Sequence, residues 1–187
     1  GAHKKWGILN QLNMPYPHQP PKLIALTETW LDPDTQSDPG LNQYTWLGKA
    51  QKRAPGGVRG QGGIGFLVHR SIGDRISIAE VKTAHQNILW VQMLTSGDVF
   101  YVAVVYVPPS GNDHMKITNI LKSNIIELQC TGIPIVTGDF NAHAPELTGD
   151  KTRPTGPRDR SLKNLINYGM VPMTNKKQQE EGTHWTY

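Results

Sequence analysis

Apolar residues recur along this chain with two periods, and the switches between them outline the elements. From His3 to Met14, Trp6, Ile8, Leu9 and Leu12 fall near helical spacing, and Pro15 and Pro17 stop the segment. Lys22 to Leu26 is a short apolar run that reads as a buried strand ending at Thr27-Glu28, and residues 32–40 are turn-rich. Lys49 to Gly63 reads as a basic, glycine-rich loop feeding a strand at Ile64 to Val68. Ile76 to Val81, Asn87 to Leu94 and Val99 to Val107 read as three further strands, with Ser96-Gly97-Asp98 as a hairpin turn. The period then changes: Ile117, Ile120, Leu121, Ile125 and Leu128 predict a helix over Asn112 to Gln129. Ile133 to Val136 returns to a strand, Gly138-Asp139 opens a loop, and Ser161 to Asn167 reads as a second helix. Strands in antiparallel order with helices between some of them predict one mixed α/β or α+β sandwich spanning residues 1–187, with no internal boundary or repeat.

Composition narrows the class. A chain of 187 residues can bury a core without staples. Its one cysteine, Cys130, forms no internal disulfide and, with a mean hydropathy of −0.46, points to a reducing compartment. The longest apolar run, Val99 to Val107, is too short to cross a bilayer. Membrane, collagen-like, disulfide-scaffold and disordered classes are excluded. The net charge of +4 admits an anionic partner such as nucleic acid.

Polar groups stand at strand ends, where a rigid sheet positions residues for chemistry. Glu28 follows one apolar run, Tyr106 closes another before Pro108-Pro109, and Asp139 with Asn141 follows a third. Thr183 with His184 lies near the last residue of the chain. Two carboxylates with an amide make a hard oxygen-donor set that suits Mg²⁺ or Mn²⁺ rather than Zn²⁺. A basic loop nearby suits a phosphodiester. Spacing alone does not bring Glu28 and Asp139 together, and Asp139 with Asn141 also has the composition of a simple Asx-turn. Gly62, Gly63 and Gly65 read as close packing at a strand start rather than a phosphate cradle, since no helix start follows them.

The segments themselves resemble a known family. Ile24-Ala25-Leu26-Thr27-Glu28-Thr29-Trp30-Leu31 resembles the first metal motif of the endonuclease/exonuclease/phosphatase superfamily, and its "ETWL" form is typical of the endonuclease domain of non-LTR (LINE-type) retrotransposons. Gly62 to Val68, Tyr106 to Ser110, Gly138-Asp139-Phe140-Asn141-Ala142-His143, and Gly182 to Thr186 resemble the second to fifth motifs, in order, over Lys22 to Tyr187. The resemblance implies a deoxyribonuclease I-like fold: a four-layer α-β-β-α sandwich of two mixed sheets with the site at one edge. It implies Mg²⁺-assisted phosphodiester hydrolysis, with Mn²⁺ as a substitute. Glu28 would ligate the metal, Asp139 position or activate the attacking water, Asn141 hydrogen-bond the scissile phosphate, Tyr106 contact a phosphate oxygen and Thr183 line the pocket.

The implied partner is DNA, nicked so that a linked reverse transcriptase can extend the exposed 3′ hydroxyl, in an intracellular and nuclear setting. Lys52, Arg53 and Arg59 in one basic loop, and Arg153 and Arg158 in another, would contact nucleic-acid phosphates without reading sequence. His143 and His184 are site-adjacent, with a structural or substrate-loop role for His143. The family's last strand and its terminal "SDH" would follow Tyr187, and its first strand ends in a metal-site asparagine, matched by Asn10 only if Trp6 to Leu9 is that strand. An incomplete site leads to the alternative of an impaired or domesticated module that binds DNA or protein, or to a homodimer or domain swap that supplies the missing strands.

Overall fold

The computed structural model describes residues 20–31, 41–49, 62–109, 113–142 and 156–170. In chain order these form β1 (Leu23–Thr27), β2 (Tyr44–Lys49), β3 (Ile64–His69), a 3-10 turn (Arg70–Arg75), β4 (Ile76–Ile78), β5 (Ile88–Leu94), β6 (Val99–Tyr106), α1 (Asp113–Leu128), β7 (Ile133–Asp139) and α2 (Pro157–Asn167). The strands make two sheets. One has the order β1-β3-β2 and is wholly antiparallel; the other, β4-β5-β6-β7, is antiparallel except for the parallel pair β6–β7.

Alternation along the strands builds the layers, because successive side chains leave a strand on opposite faces. In β3, Ile64, Phe66 and Val68 join Leu89, Val91, Val102, Val104 and Tyr106 in a core between the sheets. Leu67 turns outward to a smaller cluster with Leu41 and Tyr44. In β6, Tyr101, Ala103 and Val105 face the other way, onto Ile117, Leu121, Ile125 and Leu128 of α1 and Leu165 of α2. Those α1 residues recur every three or four positions, so one helical stripe covers the sheet. Each fully buried aliphatic or phenylalanine side chain stabilises the fold by about 1.5–3 kcal/mol. Both sheets of the expected four-layer sandwich, and one of its two helix layers, are thus among the described residues. The segment read as a first helix, His3 to Met14, lies outside the described residues. Among the described residues no helix is long and apolar enough to cross a membrane.

Several boundaries differ from the sequence reading. Lys49 does not begin a loop but ends β2, a strand missed because Trp46-Leu47-Gly48 breaks the alternation. The Trp46 ring lies against Gly48 and Gly65, where any Cβ would collide with it, so those two glycines are the room for an indole. This is the close packing expected of Gly65. The strand read over Ile76 to Val81 is only Ile76–Ile78. Gly138-Asp139 does not open a loop: it completes β7, since Asp139 continues the ladder opposite Tyr106. The second helix starts at Pro157 rather than Ser161, capped by Asp159, whose carboxylate accepts the Gly156 N–H. Arg158 therefore sits on a helix, not in a basic loop.

Candidate active site

The site is built where strands of both sheets end together. Thr27 is paired with Ile64, so the chain leaves β1 for Glu28 beside the first residue of β3. In the second sheet β6 and β7 run parallel, and Tyr106 and Asp139 are register partners on their last residues. The two ends are joined by a hydrogen bond from the Tyr106 hydroxyl to Glu28 Oε1, 2.7 Å. Val107 N–H donates to the Asp139 carbonyl at 2.8 Å. The Asn141 backbone N–H donates to Asp139 Oδ1 at 2.8 Å, and its side-chain amide donates to the Val107 carbonyl at 2.8 Å. The Asx-turn therefore forms, and the same turn seats Asn141 beside the ends of β6 and β7.

Backbone strain is concentrated here. Glu28, Trp30 and Asn141, at φ 50°, 56° and 45°, are the non-glycine residues with positive φ among the described residues. Left-handed backbone costs an L-residue about 1–2 kcal/mol, less for Asn. The bend at Glu28 is held by Thr29 N–H to Gly63 O, 3.1 Å, and Trp30 N–H to Gly62 O, 2.8 Å. Strain that the surroundings over-determine is a mark of sites where a side chain is aimed rather than packed.

Electrostatics sets the state of Tyr106. Burial, then its hydrogen bond to Glu28, then the charges of Glu28 and Asp139 push its phenol well above the usual value. It remains a neutral donor and cannot serve as a base. Among the described residues Glu28 Oε2 and Asp139 Oδ2 carry no hydrogen bond, and Thr29 Oγ1 is buried without a partner. No group of three or more His, Cys, Asp or Glu converges among the described residues. Glu28 and Asp139 are both oxygen donors, each with one oxygen left over, hard-donor chemistry that fits Mg²⁺, which is completed by water and substrate oxygens.

Of the residues singled out in the sequence, Glu28, Tyr106, Asp139 and Asn141 are brought together. Arg158 lies in the first turn of α2. That helix runs parallel to α1, with Ser161 Oγ 3.0 Å from Met115 Sδ and Lys122 over the Tyr168 ring at 3.4 Å. Both helices therefore start at the end of the molecule where β6 finishes. Arg158 is half-buried there, its Nε without a hydrogen-bond partner. Thr183, His143, His184, Lys52, Arg53, Arg59 and Arg153 lie outside the described residues.

Two further groups at this end escaped the sequence reading. Lys49 faces inward at the end of β2 and donates to the carbonyls of His85, 3.2 Å, and Ile88, 3.1 Å, tying one sheet to the other. They border a cavity of about 340 Å³ that also touches Ile78, Val81, Trp90 and Asn124. A lysine following the apolar Trp46-Leu47 pair, with only Gly48 between, was the available signal. His85 Nδ1 accepts the Asn87 N–H at 3.1 Å, and burial, then Lys116 and Lys49 against the opposing pull of Asp113, hold its pKa below 6.5. Between that lowered value and 6.5 the unfolded chain binds more protons than the folded one, so stability falls as pH drops through this window. Urea unfolding across pH 5–7 is expected to show that slope, and His85→Gln to reduce it; an unchanged slope refutes the assignment.

A sequence profile described as the Endonuclease/Exonuclease/phosphatase family matches residues 7–187. None of the curated proteins matches the chain. Among solved structures, the Xenopus laevis APE2 catalytic domain is similar at TM-score 0.60 and 15% identity, over 88% of this chain and 63% of that one. The endonuclease domain of TRAS1, a telomere-specific non-LTR retrotransposon, is similar at TM-score 0.49 and 15% identity, over 68% and 52%. D. rerio TDP2 complexed with single-strand DNA product is similar at TM-score 0.49 and 17% identity, over 92% and 58%. The chain spans between about half and just under two thirds of the length of these solved chains. At such identities the APE2 likeness speaks for the fold alone.

Proposed function

Because the chain belongs to the Endonuclease/Exonuclease/phosphatase family, we propose that it hydrolyses a phosphodiester of DNA at the edge formed by Glu28, Tyr106, Asp139 and Asn141. The observation that carries this reading is the hydrogen-bonded set itself: four polar residues from three separate segments, wired together where the strands end. Half-buried strand ends gain nothing in packing from two carboxylates placed so close to one buried phenol.

Each residue has a task that its surroundings support. Asp139, with one oxygen committed to the Asn141 N–H, offers the other to a water and takes its proton as the water attacks phosphorus. Tyr106 keeps its proton and donates it to Glu28 Oε1, holding that carboxylate in one rotamer; it can meet a phosphoryl oxygen only by turning this one proton away from Glu28. Asn141 has a second amide proton free of its Val107 bond for the scissile phosphate. Glu28, with Asp139, would hold a Mg²⁺ ion, whose charge would offset that growing on the phosphoryl and leaving oxygens. On this reading Thr183, Lys52, Arg53, Arg59, Arg153 and Arg158 complete the pocket and the phosphate contacts. The biological setting that goes with it is nicking of nuclear DNA for target-primed reverse transcription, with a reverse transcriptase as the linked partner.

Supercoiled plasmid incubated with the chain and Mg²⁺ is expected to convert to open circles, and EDTA to stop the conversion. Plasmid that is bound but never nicked would overturn the hydrolytic reading in favour of a binding module.

A further inference from the structure

Trp30 is an expensive residue in its position. Its φ of 56° lies in the left-handed region, where a bulky aromatic is an outlier. It stands between Thr29, 5% exposed, and Leu31, 2% exposed, yet is itself 37% exposed and belongs to none of the core clusters. With both neighbours turned inward and its own N–H held by Gly62 O at 2.8 Å, the residue is fixed on the outside of a pinned bend. Core packing does not account for a strained backbone that leaves an indole partly in water.

Its location supplies an account. Trp30 is two residues past Glu28, which limits the separation of their Cα atoms to about 7 Å. A phosphodiester bound by Asn141 at the same edge has its flanking nucleotides one backbone step away, a rise of about 3.4 Å along a strand, which puts their bases within reach of a side chain in this bend. A large, flat, rigid π-surface at that range suits a nucleobase, and base–aromatic stacking is strong and indifferent to which base is presented. In an intact duplex both faces of a base are already covered by its neighbours, so a stacking side chain needs a base that is unpaired or displaced.

We propose that Trp30 is a stacking platform for the nucleobase flanking the scissile phosphate, and that the chain therefore favours a strand with an unstacked base at that point. The proposal rests on the nuclease reading and deepens it by naming the substrate's form. It also separates two sources of affinity. The basic residues contact phosphates and respond to salt; Trp30 contacts one base and responds to that base's removal.

The test measures binding in EDTA, so that the strand stays uncut. A short single-stranded oligonucleotide is compared with a series in which one base at a time is replaced by an abasic residue. The wild-type chain is expected to lose about tenfold in affinity when one particular base is missing. Trp30→Leu, which keeps apolar bulk without a π-face, is expected to bind the intact strand about tenfold more weakly and to show a flat abasic profile. Trp30→Phe, which keeps a ring, should retain most of the wild-type pattern. Trp30→Leu binding like wild type, an abasic dip that persists in Trp30→Leu, or a wild-type chain that ignores base removal would each overturn the proposal. A chain that shows the dip but nicks nothing with Mg²⁺ refutes hydrolysis and leaves the stacking role standing.

Discussion

Asp139→Asn is expected to remove plasmid nicking while leaving the fold in place. Asn keeps a side-chain oxygen where Asp139 Oδ1 receives the Asn141 N–H, so the turn survives, and the backbone ladder to Tyr106 is untouched. What it loses is the negative charge that takes a proton from water and helps hold a cation. General base catalysis alone contributes about 10²–10⁴-fold, so the nicking rate should fall by at least about 10²-fold, with melting close to wild type. The charge lost is also one of those raising the Tyr106 phenol, so Tyr106 in the variant should titrate closer to its ordinary value of 10.0. Nicking within severalfold of wild type would remove Asp139 from the chemistry and, with it, the proposed mechanism.

Gly138→Ala is expected to cost more stability than any other single methyl added among the described glycines, and to disable the site as well. Gly138 has φ 133°, a region closed to other L-residues, and lies opposite Val105 in the β6–β7 ladder. A Cβ there would run into the Val105 carbonyl oxygen, with Val105 N at 2.7 Å and its carbonyl carbon at 2.9 Å. All three are backbone atoms, so no rotamer change relieves the clash; the strands must part. The expected loss is about 3 kcal/mol, read as a fall in melting temperature of about 6–12 °C for a domain of this size. Because Asp139 is the next residue, parting the strands also moves it from Tyr106, and nicking should fall with stability. Gly97, with nothing within 4 Å, is the matched control, and Gly97→Ala should be close to neutral. Equal melting for the two variants would show that the β6–β7 ladder gives way without cost.

How far the chain could be read in advance depended on how local the cause was. The runs in β3, β5 and β6 were legible because a strand buried on both faces is apolar throughout, and α1 because its stripe repeats with the helix period. The short β2 was not. Its Trp46 is tolerated only because Gly65, nineteen places ahead in the numbering of the chain, leaves room for the ring. The length of β7 was hidden for the same reason, since Gly138 and Asp139 have turn-like composition and are strand residues only through Val105 and Tyr106. The helical start at Pro157 was legible in principle, since Gly156-Pro157 with Asp159 carries a local capping signal.

For the site, the sequence by itself determined which residue types stand at strand ends and in what order, because hydrophobic period and turn chemistry are properties of neighbours along the chain. It thus offered Glu28, Tyr106, Asp139 and Asn141 as separate candidates. Only the tertiary structure decided that they share one edge, that Tyr106 is a buried neutral donor to Glu28, and that Trp30 is left outside. Those facts follow from strand register and from the packing of one sheet on another. Tyr106 and Glu28 are 78 residues apart in the chain, and the 2.7 Å between their oxygens is a consequence of the fold.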